Sequence, residues 1–270
     1  MMKKEENTCR VKSRVKKAQV TIFIIIAIII VVFLILFFSA KSGLFKEFNA
    51  GIITEIKPIH NFIDNCVEQT GNNAIYHIGQ TGGYFLTNTG TFNEVGIAYY
   101  FNKNKKLIIS KEEIENQLSL YIDDMLFFCT RNFIDFRDFD VRQGEIETKA
   151  KIVKDKVIFK VVYPLTISKG KNTYFIKNFE KEIPSRLDTV YKVASGIIEE
   201  QMLNFNGICA NCISKLAFEN RVFVSMNDDI YDENTIIFTI IDEENKINEE
   251  DYSFYFANKY DFKYGEENLK

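Results

Sequence analysis

The hydrophobic residues of this chain follow three patterns in turn. Residues 20–38 read VTIFIIIAIIIVVFLILFF, 19 positions with Thr21 as the one polar side chain. At about 1.5 Å of helical rise per residue this run matches the ~30 Å hydrocarbon core of a bilayer, so it predicts a spanning helix. Further on, apolar positions recur at helical spacing. Ile59, Phe62, Ile63 and Cys66 share one face, and Ile114, Leu118, Ile122, Met125 and Cys129 share another. From Gln143 the period falls to two. Residues 145–153, 157–168 and 173–183 alternate around the turns Lys154-Asp155-Lys156 and Lys169-Gly170-Lys171, which predicts a three-stranded antiparallel meander. Pro164 inside the second of these strands predicts a bulge or a break, because proline cannot donate to a ladder.

Punctuation between these runs sets the other elements. Residues 39–56 read as a juxtamembrane stalk. Pro58 suits the first turn of a new helix, and Gly79 with Gly82-Gly83 stops it. Residues 97–101 are strand-like and Asn102-Lys103-Asn104-Lys105 is a turn. Ser110 with Glu113 three residues later is a capping box for a helix from Lys111 to about Asn132. Pro184-Ser185, with Asp188 at the matching position, opens another helix. Its stripe is Leu187, Val190, Val193, Ile197, Ile198 and Met202. Residues 222–226, 235–241 and 252–257 predict three more strands. The expected fold is therefore α+β, with an N-terminal transmembrane helix and an exterior region made of a helical half and an antiparallel-sheet half. Its segments are 1–19 (cytoplasmic, basic), 20–38 (span), 39–56 (stalk), 57–139 (mainly helical), 140–262 (sheet plus helix) and 263–270 (tail).

Charge orients the expected span. Residues 1–19 carry seven basic and two acidic side chains in a chain of net charge −3, so the acidic excess lies beyond residue 38. The positive-inside rule then puts the N-terminus in the cytoplasm and the bulk outside the membrane. Nucleic acid is excluded as a partner, since phosphate binding needs a concentrated basic face. With 25 Phe and 13 Tyr the exterior region can fill a core.

The junction Lys16-Lys17-Ala18-Gln19-Val20 adds a second layer. Basic residues, a small residue, Gln and an unbroken apolar helix resemble the class III signal peptides of archaeal type IV pilin-like proteins. The stretch KKAQVTIFIII also resembles the opening of archaeal single-pass membrane proteins. The pilin-like resemblance implies processing at Lys16, Lys17, Ala18 and Gln19, with the cut between Ala18 and Gln19. It implies a lipid bilayer and envelope or pilus-like proteins as partners. Ala18 stands where Gly is usual, and Phe23 stands where many pilins have Glu. The other reading of the same residues is an uncut signal anchor.

Candidate chemistry is sparse. Beyond the basic segment lie Cys66, Cys129, Cys209 and Cys212, an even count that invites disulfides in an oxidising compartment. Because Cys66 and Cys129 each sit on a predicted buried face, a bridge pinning the two helices is one reading, and a pair of inert core thiols is the other. Cys209-Ala210-Asn211-Cys212 is a C-x-x-C. It reads either as a structural clip or as a redox dithiol whose thiolate a helix N-terminus would stabilise. Four-ligand zinc finds too few partners, since His60 and His77 are the only histidines. His60 and His77 read as structural. Asp123-Asp124 reads as a solvated helix face, and the acidic segments around Asp228, Asp229, Asp232 and Asp242 read as charged hairpin tips. Ser13/Lys16 and Ser168/Lys171 match S-x-x-K without the accompanying motifs. No cofactor motif is present. The preferred function is a non-enzymatic, membrane-anchored surface or envelope module. The alternative is a membrane-tethered thiol–disulfide oxidoreductase using Cys209 and Cys212.

Overall fold

The computed structural model describes residues 16–86, 92–204, 207–230 and 232–261, with only the backbone given for residues 16–27 and 33–53. The chain divides into two units, Met1–Glu55 and Ile56–Lys270. Helix α1 (Lys16–Thr81) has its residues up to Glu55 in the first unit and the rest in the second.

The membrane-spanning helix expected at residues 20–38 is corrected. Among the described residues no helix is long and apolar enough to cross a membrane. Within that run only the side chains of Ile28, Ile29, Ile30, Val31 and Val32 are described, and all five are exposed. The fully described part of α1, from Ile56, mixes buried apolar residues with exposed Asn61, Asn65, Glu68 and Gln69, a pattern made for packing against protein on one face. The single-pass topology, its assigned inside and outside, and the anchored surface module all rested on that span and are withdrawn with it. The side chains of Lys16, Lys17, Ala18 and Gln19 lie outside the described residues, as do Cys9 and the tail from residue 262. The stalk at 39–56 is helical, and Pro58 sits inside α1 rather than at the first turn of a new helix.

The second unit is α+β, built on two sheets. The first has the order β2-β1-β9-β8-β7. Its strands are β1 (Tyr99–Asn102), β2 (Lys105–Lys106), β7 (Phe223–Asp228), β8 (Thr235–Ile247) and β9 (Glu250–Lys259). All pairs are antiparallel except β1 with β9, which run parallel. The Lys103-Asn104 and Asn248-Glu249 turns that close β1–β2 and β8–β9 have positive φ at both residues, as two-residue hairpins of the right twist require. Phe238, Phe256 and Tyr100 stack across three neighbouring strands, with centroids 5.0 Å and 4.9 Å apart.

The second sheet is organised by the 14-residue β5 (Lys156–Lys169). β6 (Asn172–Pro184) lies along one edge of β5, while β4 (Glu147–Val153) and β3 (Asp140–Gln143) share the other edge end to end. The register slips between Val162 and Leu165, at Pro164, and the Pro164 carbonyl accepts the Gly144 N–H at 2.8 Å. Proline thus marks the place where β5 exchanges one edge partner for the next.

Helix α2 (Lys111–Thr130) opens on Ser110, whose hydroxyl accepts the Glu113 N–H at 3.2 Å. It closes the outer edge of β4. Ser119 Oγ accepts the Ala150 N–H and Glu115 Oε1 the Ile152 N–H, both at 2.9 Å, while Lys151 neutralises the Glu115 carboxylate. An edge strand so covered offers no free ladder to another chain. Helix α3 (Leu187–Leu203) begins one residue later than the capping pattern predicts, with Arg186 at the N-cap. Asp188 is held by Lys111 instead of the helix start.

The end of α1 touches both sheets through glycines. A Cβ at Gly71 would fall on Ile183 and Phe159 of the β5–β6 pair. One at Gly79 would fall on the Ser253 carbonyl oxygen of β9, a backbone atom that cannot yield without moving the strand. Gly79→Ala is therefore expected to cost about 1–3 kcal/mol by overpacking. Gly207→Ala, whose Cβ meets nothing within 4 Å, is expected to stay within about 0.5 kcal/mol. Urea midpoints of the two variants check the contrast.

Candidate thiol–disulfide site

Helix α3 is followed in the chain by α4 (Ala210–Asn220). The two helices meet closely where Leu216 lies over Gly196. Helix α4 ends at Arg221, in the left-handed conformation (φ 52°). At its start stands Cys209, the N-cap residue, joined to Cys212 in a disulfide with Cα atoms 5.2 Å apart. Ser, Thr, Asp or Asn usually fills an N-cap, its oxygen accepting a free N–H of the first turn. Here the Cys209 sulfur takes that place and accepts the Cys212 N–H at 3.3 Å. Both cysteines are half-buried, Ala210 and Asn211 between them are exposed, and Ile213 just behind is buried. The bridge thus lies at the partly exposed start of a helix whose next apolar residue is buried.

The loop leading into Cys209 is tied down by one buried side chain. Gln201 Nε2 donates to the carbonyl oxygens of Asn204 (2.8 Å) and Gly207 (3.1 Å), and its Oε1 accepts from the Tyr260 hydroxyl at 2.9 Å. That hydroxyl in turn accepts from Asn258 Nδ2 at 3.4 Å. The sequence stripe put Met202 on the buried face. Gln201 is the buried residue and Met202 is half-buried. The signal was a polar residue four positions after Ile197, on an otherwise apolar face.

Arg186 forms a second polar anchor, at the other end of α4. Its guanidinium donates to Asp242, Glu244 and the Asn220 carbonyl, each at 2.7 Å. Asp242 is fully buried, and it occupies the core-facing register of β8 after Phe238 and Ile240. Burial pushes its carboxyl above the usual range, against the pull of Arg186. A carboxylate at an apolar position of the alternation was the sequence signal, and the reading of Asp242 as part of a charged hairpin tip is corrected by it.

Cys66 and Cys129 are joined as well, with Cα atoms 5.6 Å apart, between α1 and α2. Cys66 is buried. Cys129 is half-buried and lines a cleft with Phe62, Gln69 and Phe128.

The remaining candidates take structural places. His60 Nδ1 lies 3.4 Å from Asp64 and its ring leans on Phe179. His77 packs on Phe85 and Tyr121. Asp123 and Asp124 line a cleft of about 510 Å³ with Glu145 and Tyr163. Desolvation by burial raises the Asp123 carboxyl above its usual range. Asp232 is clamped by Lys259, Tyr99 and Thr235, and Asp229 Oδ2 accepts from Asn93 Nδ2 at 2.7 Å. Ser168 Oγ lies 3.2 Å from Thr173 Oγ1 at its hairpin, with no catalytic partner in that contact. No group of three or more His, Cys, Asp and Glu able to hold a metal ion occurs among the described residues.

No known protein family, curated protein or solved structure matches the chain.

Proposed function

We propose that the protein is a thiol–disulfide oxidoreductase working through Cys209 and Cys212. The observation that carries this reading is the place of Cys209. Its sulfur is the cap of α4 and receives the Cys212 N–H. Once the pair is reduced, the same N–H and the positive end of the helix favour the thiolate. The pair spans three residues of sequence, so it constrains the unfolded chain far less than Cys66–Cys129, which spans 63. Stabilisation alone gives a weak reason for it.

In the reductive direction the Cys209 thiolate attacks one sulfur of a substrate disulfide. A Cys209–substrate bond forms, the substrate S–S bond breaks, and the departing substrate thiolate takes a proton. Cys212, deprotonated, then attacks the Cys209 sulfur and displaces the second substrate thiolate. The substrate disulfide has gained two electrons and two protons, and Cys209–Cys212 has lost them. The reverse sequence oxidises a substrate dithiol, with the direction set by the two potentials.

The test uses the full chain, reduced by a dithiol, with insulin as the disulfide. Cys209→Ser is expected to lower the rate of insulin reduction to background. Cys212→Ser is expected to block turnover yet trap the mixed disulfide on Cys209, visible as added mass. Undiminished reduction by Cys209→Ser overturns the assignment. So does a wild-type rate no faster than that of the dithiol alone.

A further inference from the structure

The exchange reading leaves one question of geometry: what keeps Cys209 at the helix cap when its bond to Cys212 is broken. We infer that Gln201 is the positioning residue that does so, an inference that rests on the exchange reading above. Gln201 is 4% exposed and sits on the apolar stripe of α3, among Val193, Ala194, Ile197 and Ile198. A buried amide at such a place is destabilising unless its hydrogen bonds are made. Gln201 makes three, and the two it donates both go to the loop that delivers Cys209, at Asn204 and Gly207.

Side-chain packing does not hold the loop at Gly207. The residue has no side chain, and a Cβ built there meets nothing within 4 Å. Its carbonyl, two residues before Cys209, is fixed by the Gln201 amide. The amide is oriented from behind. Tyr260, 2% exposed, donates to Gln201 Oε1 and receives from Asn258, which is fully buried. Asn258 and Tyr260 sit at and just past the end of the central strand β9. Every donor in the series points toward the loop, so each bond polarises the next in one direction. The sheet core is thereby connected to the segment before the cap of α4 through Gln201.

When the disulfide is reduced, the cap geometry depends on this tether. Without it the loop is free to draw Cys209 away from the Cys212 N–H, and the thiolate loses the group that stabilises it. A cysteine at a helix N-terminus ionises anywhere from about 3.5 to 7.5, against about 8.5 for a free one. Loss of the tether moves Cys209 toward the free value and lowers its reactive fraction at neutral pH.

The experiment reads the Cys209 pKa from the ultraviolet absorbance of its thiolate. It uses the full chain carrying Cys9→Ser and Cys212→Ser, with Cys66–Cys129 oxidised, so that one thiol titrates. Gln201→Met is expected to raise that pKa by about one unit, a tenfold loss of thiolate below the pKa. Tyr260→Phe, which leaves the amide in place and removes its orienting donor, is expected to raise it by a smaller amount. A purely structural role for Gln201 would lower the melting temperature and leave the pKa where it was. That result in both variants overturns the inference while the exchange reading stands. Should Gln201→Met fail to fold, Tyr260→Phe decides alone. A parent Cys209 that titrates near 8.5, together with a wild-type chain that reduces insulin no faster than the dithiol alone, removes the exchange reading and this inference with it.

Discussion

Arg186→Met is expected to destabilise the second unit by about 3–5 kcal/mol at pH 7, because it leaves a fully buried carboxylate without its counter-charge. The methionine keeps the length and apolar stem of the arginine, so lost packing contributes little. What goes is a fork of three bonds at 2.7 Å, joining the β8 residues Asp242 and Glu244 to the last turn of α4 at Asn220. The deficit carries a pH signature. In the unfolded chain the Asp242 carboxyl ionises near 3.9, and in the folded protein burial raises it above that value. Between the two values the folded state binds the extra proton, so stability falls as pH rises through that window and recovers as pH drops below it. Removing Arg186 takes away the one charge holding the folded value down, and the window widens upward. The gap between wild type and variant in urea midpoints is therefore expected to be largest at neutral pH and to narrow toward pH 4. Replacing Asp242 with Leu in the Arg186→Met background should restore most of the loss. A gap under 1 kcal/mol at pH 7, or one that grows on acidification, would contradict this account of the pair.

Removing the Cys66–Cys129 bridge by Cys66→Ser with Cys129→Ser is expected to cost about 4 kcal/mol, from the chain entropy returned to the unfolded state by reopening a loop of 63 residues. For a unit of this size that is a fall in melting temperature of roughly 10 °C. The same treatment of Cys209 and Cys212, three residues apart, gives about 2 kcal/mol at most. Calorimetry on the two double variants separates one bond that holds α1 to α2 from another placed for exchange. Equal losses would mean that both bridges are structural.

How far these features could be read ahead depends on how local they are. The capping pair Ser110 and Glu113, the turn at Gly170 and the bulge at Pro164 are written within a few residues, and the structure has each at its place. The Cys66–Cys129 pairing was legible because each thiol continues a helical stripe and the stripes face one another. Arg186 at the head of α3 was not, since the Ser185 and Asp188 pattern is a good local cap. There Ser185 Oγ receives the Leu187 N–H at 3.2 Å, and Lys111 draws Asp188 away. Tertiary charge pairing outweighed a local preference. The parallel pairing of β1 with β9 joins residues more than 150 positions apart, and no local pattern records it. At the candidate site the C-x-x-C itself was plain. Gln201 and Tyr260, the residues that present it, were legible at most as a polar interruption in an apolar stripe.

The order of strands in the first sheet has a consequence for biosynthesis. β9 lies between β1 and β8, and both are made before it. A nascent chain emerging from the ribosome thus carries two strands, each with a bare ladder edge meant for a third not yet translated. Pairing across such a distance in sequence is slow to find even in the finished chain. Until Phe256 has been added, the apolar faces of Tyr100 and Phe238 lack the ring that stacks on both. That interval is when wrong association is most available to the polypeptide, and a chaperone that shields β-prone segments during elongation would act there.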